Sequence, residues 1–251
     1  MGLHKLVRTL APVAGLVVAA ALSGCDAGKV EFDTEGVPLA ELDMTGDPPT
    51  GIVLAGSDKL VVSQGDEFEI EVTGTDAARE RMRFARDGQQ LAIHRQDLDF
   101  GDDIDVATVA VTLPSVGSIV IAGSGEASAR GLSDDASVVI SGSGTLDARD
   151  VDVASLTVVI TGSGRFTASG RTEQYSLNIA GSGSADTPRL RVGSADVTAA
   201  GSGDAHFASD GEVSATIVGS GNVRVTGSAR CNASTVGSGS LRCDGGTVNG
   251  E

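Results

Sequence analysis

The sequence predicts an all-β fold: a single-stranded parallel β-solenoid with rungs of about 19 residues, Gly-Ser-Gly corners and an N-terminal β cap. Two observations predict it. The triplet Gly-Ser-Gly recurs at Gly123, Gly142, Gly162, Gly181, Gly201, Gly219 and Gly237, at intervals of 19, 20, 19, 20, 18 and 18 residues, which marks a repeating structural unit. On both sides of every triplet, apolar and polar residues alternate with period 2, the pattern of a strand with one buried face. One bent pair of strands cannot cover its own apolar face, so the units must stack. Seven rungs spaced at about 4.8 Å make a rod roughly 34 Å long.

At the N-terminus, Lys5 and Arg8 precede an uncharged run from Thr9 to Gly24. Its apolar stretch from Leu10 to Leu22 has 13 residues, against the roughly 20 that a membrane-spanning helix needs, so residues 1–24 read as a cleaved signal peptide. The segment Leu22-Ser23-Gly24-Cys25 resembles a lipobox, in which small residues admit the peptidase and the Cys25 thiol receives the lipid. The expected mature chain therefore begins at Cys25, lipid-anchored at an envelope membrane outside the cytoplasm. Asp26 resembles an inner-membrane retention signal. The mature charge is −18, from 16 basic against 34 acidic residues, which argues against nucleic-acid binding. Residues 25–50 are acidic and carry Pro38, Pro48 and Pro49, as a flexible tether does.

Residues 51–251 form the solenoid domain, divided into N-terminal β layers (51–115) and the Gly-Ser-Gly repeats (116–245). In the first part, Leu60 and Val62, Phe68 to Val72, Leu91 and Ile93, and Val109 to Leu113 read as strands. Asp76 to Arg83 reads as a short helix with Asp76 at its N-cap. In the repeats, positions two and four before the triplet and four and six after it are apolar or small, and face inward. Position three after it reads Glu126, Thr145, Arg165, Ser184, Asp204, Asn222 and Ser240, and faces solvent. The triplet itself suits a corner, because glycine reaches positive φ and permits close approach between rungs; the serine hydroxyls are expected to form a ladder.

The cysteines fit the same register. Lipidation removes Cys25 and leaves Cys231, six before its triplet, and Cys243, six after, both facing the interior of one rung. A disulfide between them closes a short loop and contributes on the order of 3 kcal/mol at the C-terminal end.

The order of features is more specific than any one triplet. Gly-Ile-Val-Leu-Ala-Gly-Ser at 51 to 57, a strand from Val61 to Asp66, a helical link, Asp87-Gly88 before Leu91-Ala92-Ile93, Val109-Ala110-Val111-Thr112-Leu113-Pro114 and then the repeats together resemble the GIN-domain family of adhesin head domains, over about residues 51 to 245. The resemblance implies a β-helix-like fold on an exported, often lipid-anchored protein, and supplies no catalytic residues. The acidic tether and the late cysteine pair have no counterpart in that pattern.

The resulting expectation is a noncatalytic envelope lipoprotein acting in adhesion, scaffolding or partner binding, without cofactor or metal. Its partners are the membrane through the lipid, an envelope protein or glycan, and a second copy at the solenoid end, where unpaired rung edges recruit strands. The alternative is a polysaccharide-active β-helix enzyme or a glycan-binding module. Against the enzyme, Asp147, Asp150, Asp152, Asp186, Asp196 and Asp204 fall on different columns and rungs. His94 and His206 are the only histidines outside the signal segment, too few for a histidine-rich metal site. Calcium solenoids repeat an Asp at one fixed offset, and the offset three after each triplet start is no such ligand column here. A phosphate loop lacks its third glycine or Gly-Lys-Ser/Thr ending. Sugar stacking is limited by the absence of Trp and by a single Tyr, Tyr175, which sits in an inward column.

Overall fold

The computed structural model describes residues 36–96, 105–133 and 135–250; the signal segment and Cys25 lie outside the described residues. A strand β1 (Gly51–Gly56) turns through Gly56-Ser57-Asp58 into β2 (Lys59–Gln64). Then come β3 (Glu69–Thr73), a one-turn helix α1 (Asp76–Glu80), the hairpin β4 (Met82–Asp87) and β5 (Gln90–Arg95), and β6 (Thr108–Leu113). The repeats supply β7 (Ser118–Gly123), β8 (Glu126–Arg130), β9 (Ala136–Gly142), β10 (Thr145–Gly162), β11 (Arg165–Gly181), β12 (Ser184–Gly201), β13 (Asp204–Ser209), β14 (Glu212–Gly219), β15 (Asn222–Thr226), β16 (Arg230–Gly237), β17 (Ser240–Asp244) and β18 (Thr247–Gly250).

Pairing between rungs is parallel and keeps the triplets in register: Gly56 opposes Gly123, which opposes Gly142, and so on through Gly162, Gly181, Gly201, Gly219 and Gly237. The inward columns expected from the alternation stack on themselves; Ala136, Leu156, Tyr175, Ala195, Val213 and Cys231 form one of them. The core is therefore a continuous column with Phe166, Phe207 and Tyr175 among its largest fully buried side chains. The Tyr175 and Phe207 rings meet edge to face at 5.6 Å. Burial pushes the Tyr175 phenol well above its ordinary pKa. The hydroxyl faces that of Thr187, which itself donates to the His206 carbonyl at 3.0 Å.

The corners are held by backbone. The amide of each triplet serine donates to the first glycine carbonyl of the rung behind, as Ser163 does to Gly142 at 2.9 Å and Ser182 to Gly162 at 2.9 Å. The hydroxyls point to solvent and make no hydrogen bond among the described residues, so the expected hydroxyl ladder is an amide ladder. Gly162 has φ +111°, and a Cβ there would lie 2.6 Å from the Gly142 carbonyl oxygen. The third glycine is excluded from bearing a side chain for a different reason: a Cβ on Gly164 would lie 2.5 Å from Ile140 Cγ2 in the core.

The N-terminal part departs from simple stacking. β1 lies between β5 and β7, and β2 between β6 and β8, so the first turn in sequence is the second in space. β3 and β4 run antiparallel against β6 and β5 and end the stack on that side. The helix is shorter than expected: Thr75 is its N-cap, accepting from the Ala78 amide at 3.3 Å, and the chain re-enters a strand at Met82. Met82 and Phe84 are needed in the core, which overrides local helical pattern. Val37 bridges Phe84, a 3-10 turn spans Leu39–Glu41, and Leu39 and Leu42 pack on the core.

At the opposite end, β17 pairs with β15 alone and β18 with β16 alone. The Cys231–Cys243 disulfide joins the two faces of the last full rung, with a Cα separation of 6.6 Å. No helix among the described residues is long and apolar enough to cross a membrane.

Candidate functional site

Two edges of the solenoid differ in what they offer a ligand. The Gly-Ser-Gly edge is a smooth stack whose amides and carbonyls are consumed between rungs. On the other edge lies a groove of about 1010 Å³ that crosses successive rungs, from Asp152 and Val153 to Thr226 and Gly227. Its origin is rung length. Rungs of 19 and 20 residues run on past the second strand into a short third face, seen in the unbroken β10, β11 and β12, whereas the 18-residue rungs beyond cut that corner. The pairing of β12 with β13 skips from Thr187 to Arg191, which leaves Pro188, Arg189 and Leu190 without a partner in β13.

The third-face column Val153, Thr172, Val192 and Ser209 is nearly buried and forms the floor. The floor hydroxyls are committed: Thr172 donates to the Gln174 carbonyl at 2.8 Å, and Ser209 accepts from the Gly211 amide at 3.2 Å. The next outward column is charged and reads Asp152, Arg171, Arg191. Arg171 donates to Asp152 through Nε at 2.6 Å and Nη2 at 3.0 Å, a pairing that lowers the Asp152 pKa and raises that of Arg171. Across the groove, Asp210 accepts from the amide and hydroxyl of Ser228, both at 2.9 Å, which holds its carboxyl below the ordinary range; the nearby Arg191 charge adds to this. The arrangement can accept and donate hydrogen bonds along an extended polar ligand.

Among the described residues no group of three or more His, Cys, Asp or Glu side chains is placed to hold a metal ion. Asp147, Asp150 and Asp152, read in sequence as separate solvated carboxylates, are each paired with an arginine: Asp147 with Arg149 at 2.7 Å, Asp150 with Arg130 at 3.6 Å and Asp152 with Arg171. Asp186 lies 3.4 Å from His206 Nδ1, and Asp204 accepts from Asn222. Cys231 and Cys243 are bonded to each other; Cys25 lies outside the described residues. The groove itself escaped the sequence reading. Its one signal was the drop in interval from 20 to 18 residues after Gly201.

Fold and groove together define a β-solenoid head domain, a rigid stack capped at one end that presents long polar faces. The sequence matches the family model described as putative auto-transporter adhesin, head GIN domain, over residues 48–229, and the chain belongs to that family. No curated protein matches the sequence. Among solved structures, a putative adhesin from Bacteroides fragilis superposes with a TM-score of 0.72 at 18% identity, covering 80% of this chain and 94% of its own. A putative lipid binding protein from Parabacteroides distasonis follows at TM-score 0.60 and 20% identity, covering 79% and 94%. A putative adhesin from Parabacteroides merdae gives 0.58 and 18%, covering 79% and 93%. These likenesses establish the fold.

Proposed function

We propose that this chain is a noncatalytic adhesion-like protein of the cell envelope, lipid-anchored through Cys25, that binds an extended polar partner in the groove between Asp152 and Gly227. One observation carries the reading: the groove runs across successive rungs, so it matches a chain-like ligand in shape, and its charged lining is exposed. The family and the disulfide support an exported location, and the lipobox supports the anchor. Ala208, opposite Arg191 in the groove, offers the test. Ala208→Trp fills the groove from its outward side, and the purified chain carrying it is expected to lose capture on a glycan array while melting at the wild-type temperature. Turnover of a polysaccharide that disappears with Asp152→Asn or Asp210→Asn would establish the enzyme reading instead. For the anchor, Cys25→Ser is expected to move the protein from the membrane to the soluble fraction, and Asp26→Ser to change the membrane in which it is found.

A second contact surface is supported at the C-terminal end. There β17 and β18 are paired on one side only, and Val236 and Val248 are 67% and 49% exposed. Two copies meeting at these ends continue both sheets, and concentration-dependent sedimentation, absent in Val236→Lys/Val248→Lys, is the expected signature.

A further inference from the structure

The charged wall of the groove is part of a longer ridge that carries more arginines than carboxylates directly paired with them. Cross-rung register places Arg149 directly opposite Arg130, Arg191 directly opposite Arg171, and Arg189 opposite Ser169. Five arginines thus lie on one edge over the four successive strands β8, β10, β11 and β12, a length of about 14 Å at 4.8 Å per rung. Like charges directly opposite one another in a sheet are destabilising, and this chain, at −16, has acidic residues in excess with which to relieve them. Three pair directly with ridge arginines, and Glu173 and Asp210 stand near Arg171 and Arg191 without pairing. Asp150 meets Arg130, Asp147 meets Arg149 and Asp152 meets Arg171. Arg189 and Arg191 make no hydrogen bond or ion pair among the described residues; the Asp210 charge is felt at Arg191, but Asp210 Oδ1 accepts from Ser228.

We propose that the ridge recognises an acidic polysaccharide whose carboxylates belong to uronic acid units, with Arg189 and Arg191 as the carboxylate-binding forks. This rests on the groove being the binding face. The guanidinium fork matches a carboxylate in two parallel hydrogen bonds. The interleaved Asp147, Asp150 and Asp152 suit a ligand that also brings hydroxyl donors. The groove offers no stacking platform, since no aromatic side chain lines it among the described residues. A polyphosphate fits less well: its charges are denser than the spaced carboxylates of a glycan, so the ridge aspartates and the net charge of −16 repel it more strongly.

The test measures binding of the full chain to oligogalacturonate, to a neutral oligogalactan of the same length and to single-stranded DNA. Arg189→Ser/Arg191→Ser is the main variant, since both side chains are exposed and Ser169 already occupies the Arg189 column. Binding to oligogalacturonate alone is expected, weakened at least about tenfold in the double variant with melting unchanged. Arg189→Lys/Arg191→Lys keeps the charge and loses the fork, and should fall between the two. Equal capture of the neutral oligomer, insensitive to either double variant but abolished by Ala208→Trp, overturns ionic recognition and leaves the groove reading standing. Equally tight DNA binding overturns the uronate assignment. Capture of no glycan at all by the wild-type chain removes both.

Discussion

The repeats and the N-terminal segment solve one problem by opposite means. From β7 to β17 each rung copies the one behind, and stability comes from like residues stacked on like: Ile121, Ile140, Ile160 and Ile179 follow one another in a single column. The segment before β7 must end the stack, so it breaks the copying rule. Its first corner, Gly56-Ser57-Asp58, has an aspartate where later corners have glycine, and that aspartate is fully buried. It receives Arg95 Nε at 2.6 Å and Nη2 at 2.5 Å and the Ala107 amide at 2.8 Å, while the same Nη2 reaches the Asp105 carbonyl. The Asp58 carboxylate holds the Arg95 guanidinium protonated more firmly still. A corner that in the repeats is closed by contact is closed in the cap by charge. Periodic layers need only small residues that do not intrude, whereas the last glycine corner, whose neighbouring layer of β5 and β6 has no Gly-Ser-Gly triplet, needs a partner in its place.

The sharpest way to break this comparison is to remove the charge. Asp58→Ala leaves Arg95 buried without its counterion and is expected to cost about 3–5 kcal/mol by urea unfolding. Asp58→Gly with Arg95→Met turns the cap corner into a repeat corner and should recover most of that loss, since an apolar replacement of a buried pair is often neutral. Next comes the repeat corner. Gly164→Val drives a side chain into Ile140 and the Gly144 carbonyl, with an expected loss of about 3 kcal/mol. The hairpin glycine of the cap, Gly88, has φ +54° and open space where its Cβ would be, so Gly88→Ala should cost only about 1 kcal/mol. Cys231→Ser/Cys243→Ser should cost about 2–3 kcal/mol and raise hydrogen exchange in β16, β17 and β18 before it affects the cap. The smallest effect is that of pH. Asp152, Asp210 and Asp244 all have folded pKa values below the ordinary 3.8, through hydrogen bonds to Arg171, to Ser228 and to Arg242 and Arg224. Their contribution is complete above that value and is lost as pH falls through the folded values. The melting temperature should be flat from pH 7 to about 5 and decline below about 4.

The repeats were legible because a strand has one period and a rung another, and both survive in the spacing of Gly123 through Gly237. The register of Cys231 with Val213 followed from counting alone. The cap was only partly legible. β4 was hidden under a helical pattern from Asp76 to Arg83, since nothing local reveals that Met82 and Phe84 enter the core. The order β5, β1, β7 is a tertiary choice that alternation does not encode. Nothing local marks Asp58 as buried, because its partner Arg95 is 37 residues away. The groove stayed unseen for a related reason: Arg171 and Asp152 are 19 residues apart and adjacent only once the rungs stack.

The central claim is that the glycine corners are architecture, with their amides bonded between rungs, and that ligand recognition belongs to the other edge. Residue-resolved hydrogen exchange at the amides of Ser143, Ser163, Ser182 and Ser202 tests it directly. Their side chains are exposed, yet each amide donates to a glycine of the rung behind, so protection approaching that of the core strands is the predicted result. Exchange at the rate of open surface loops would contradict the account.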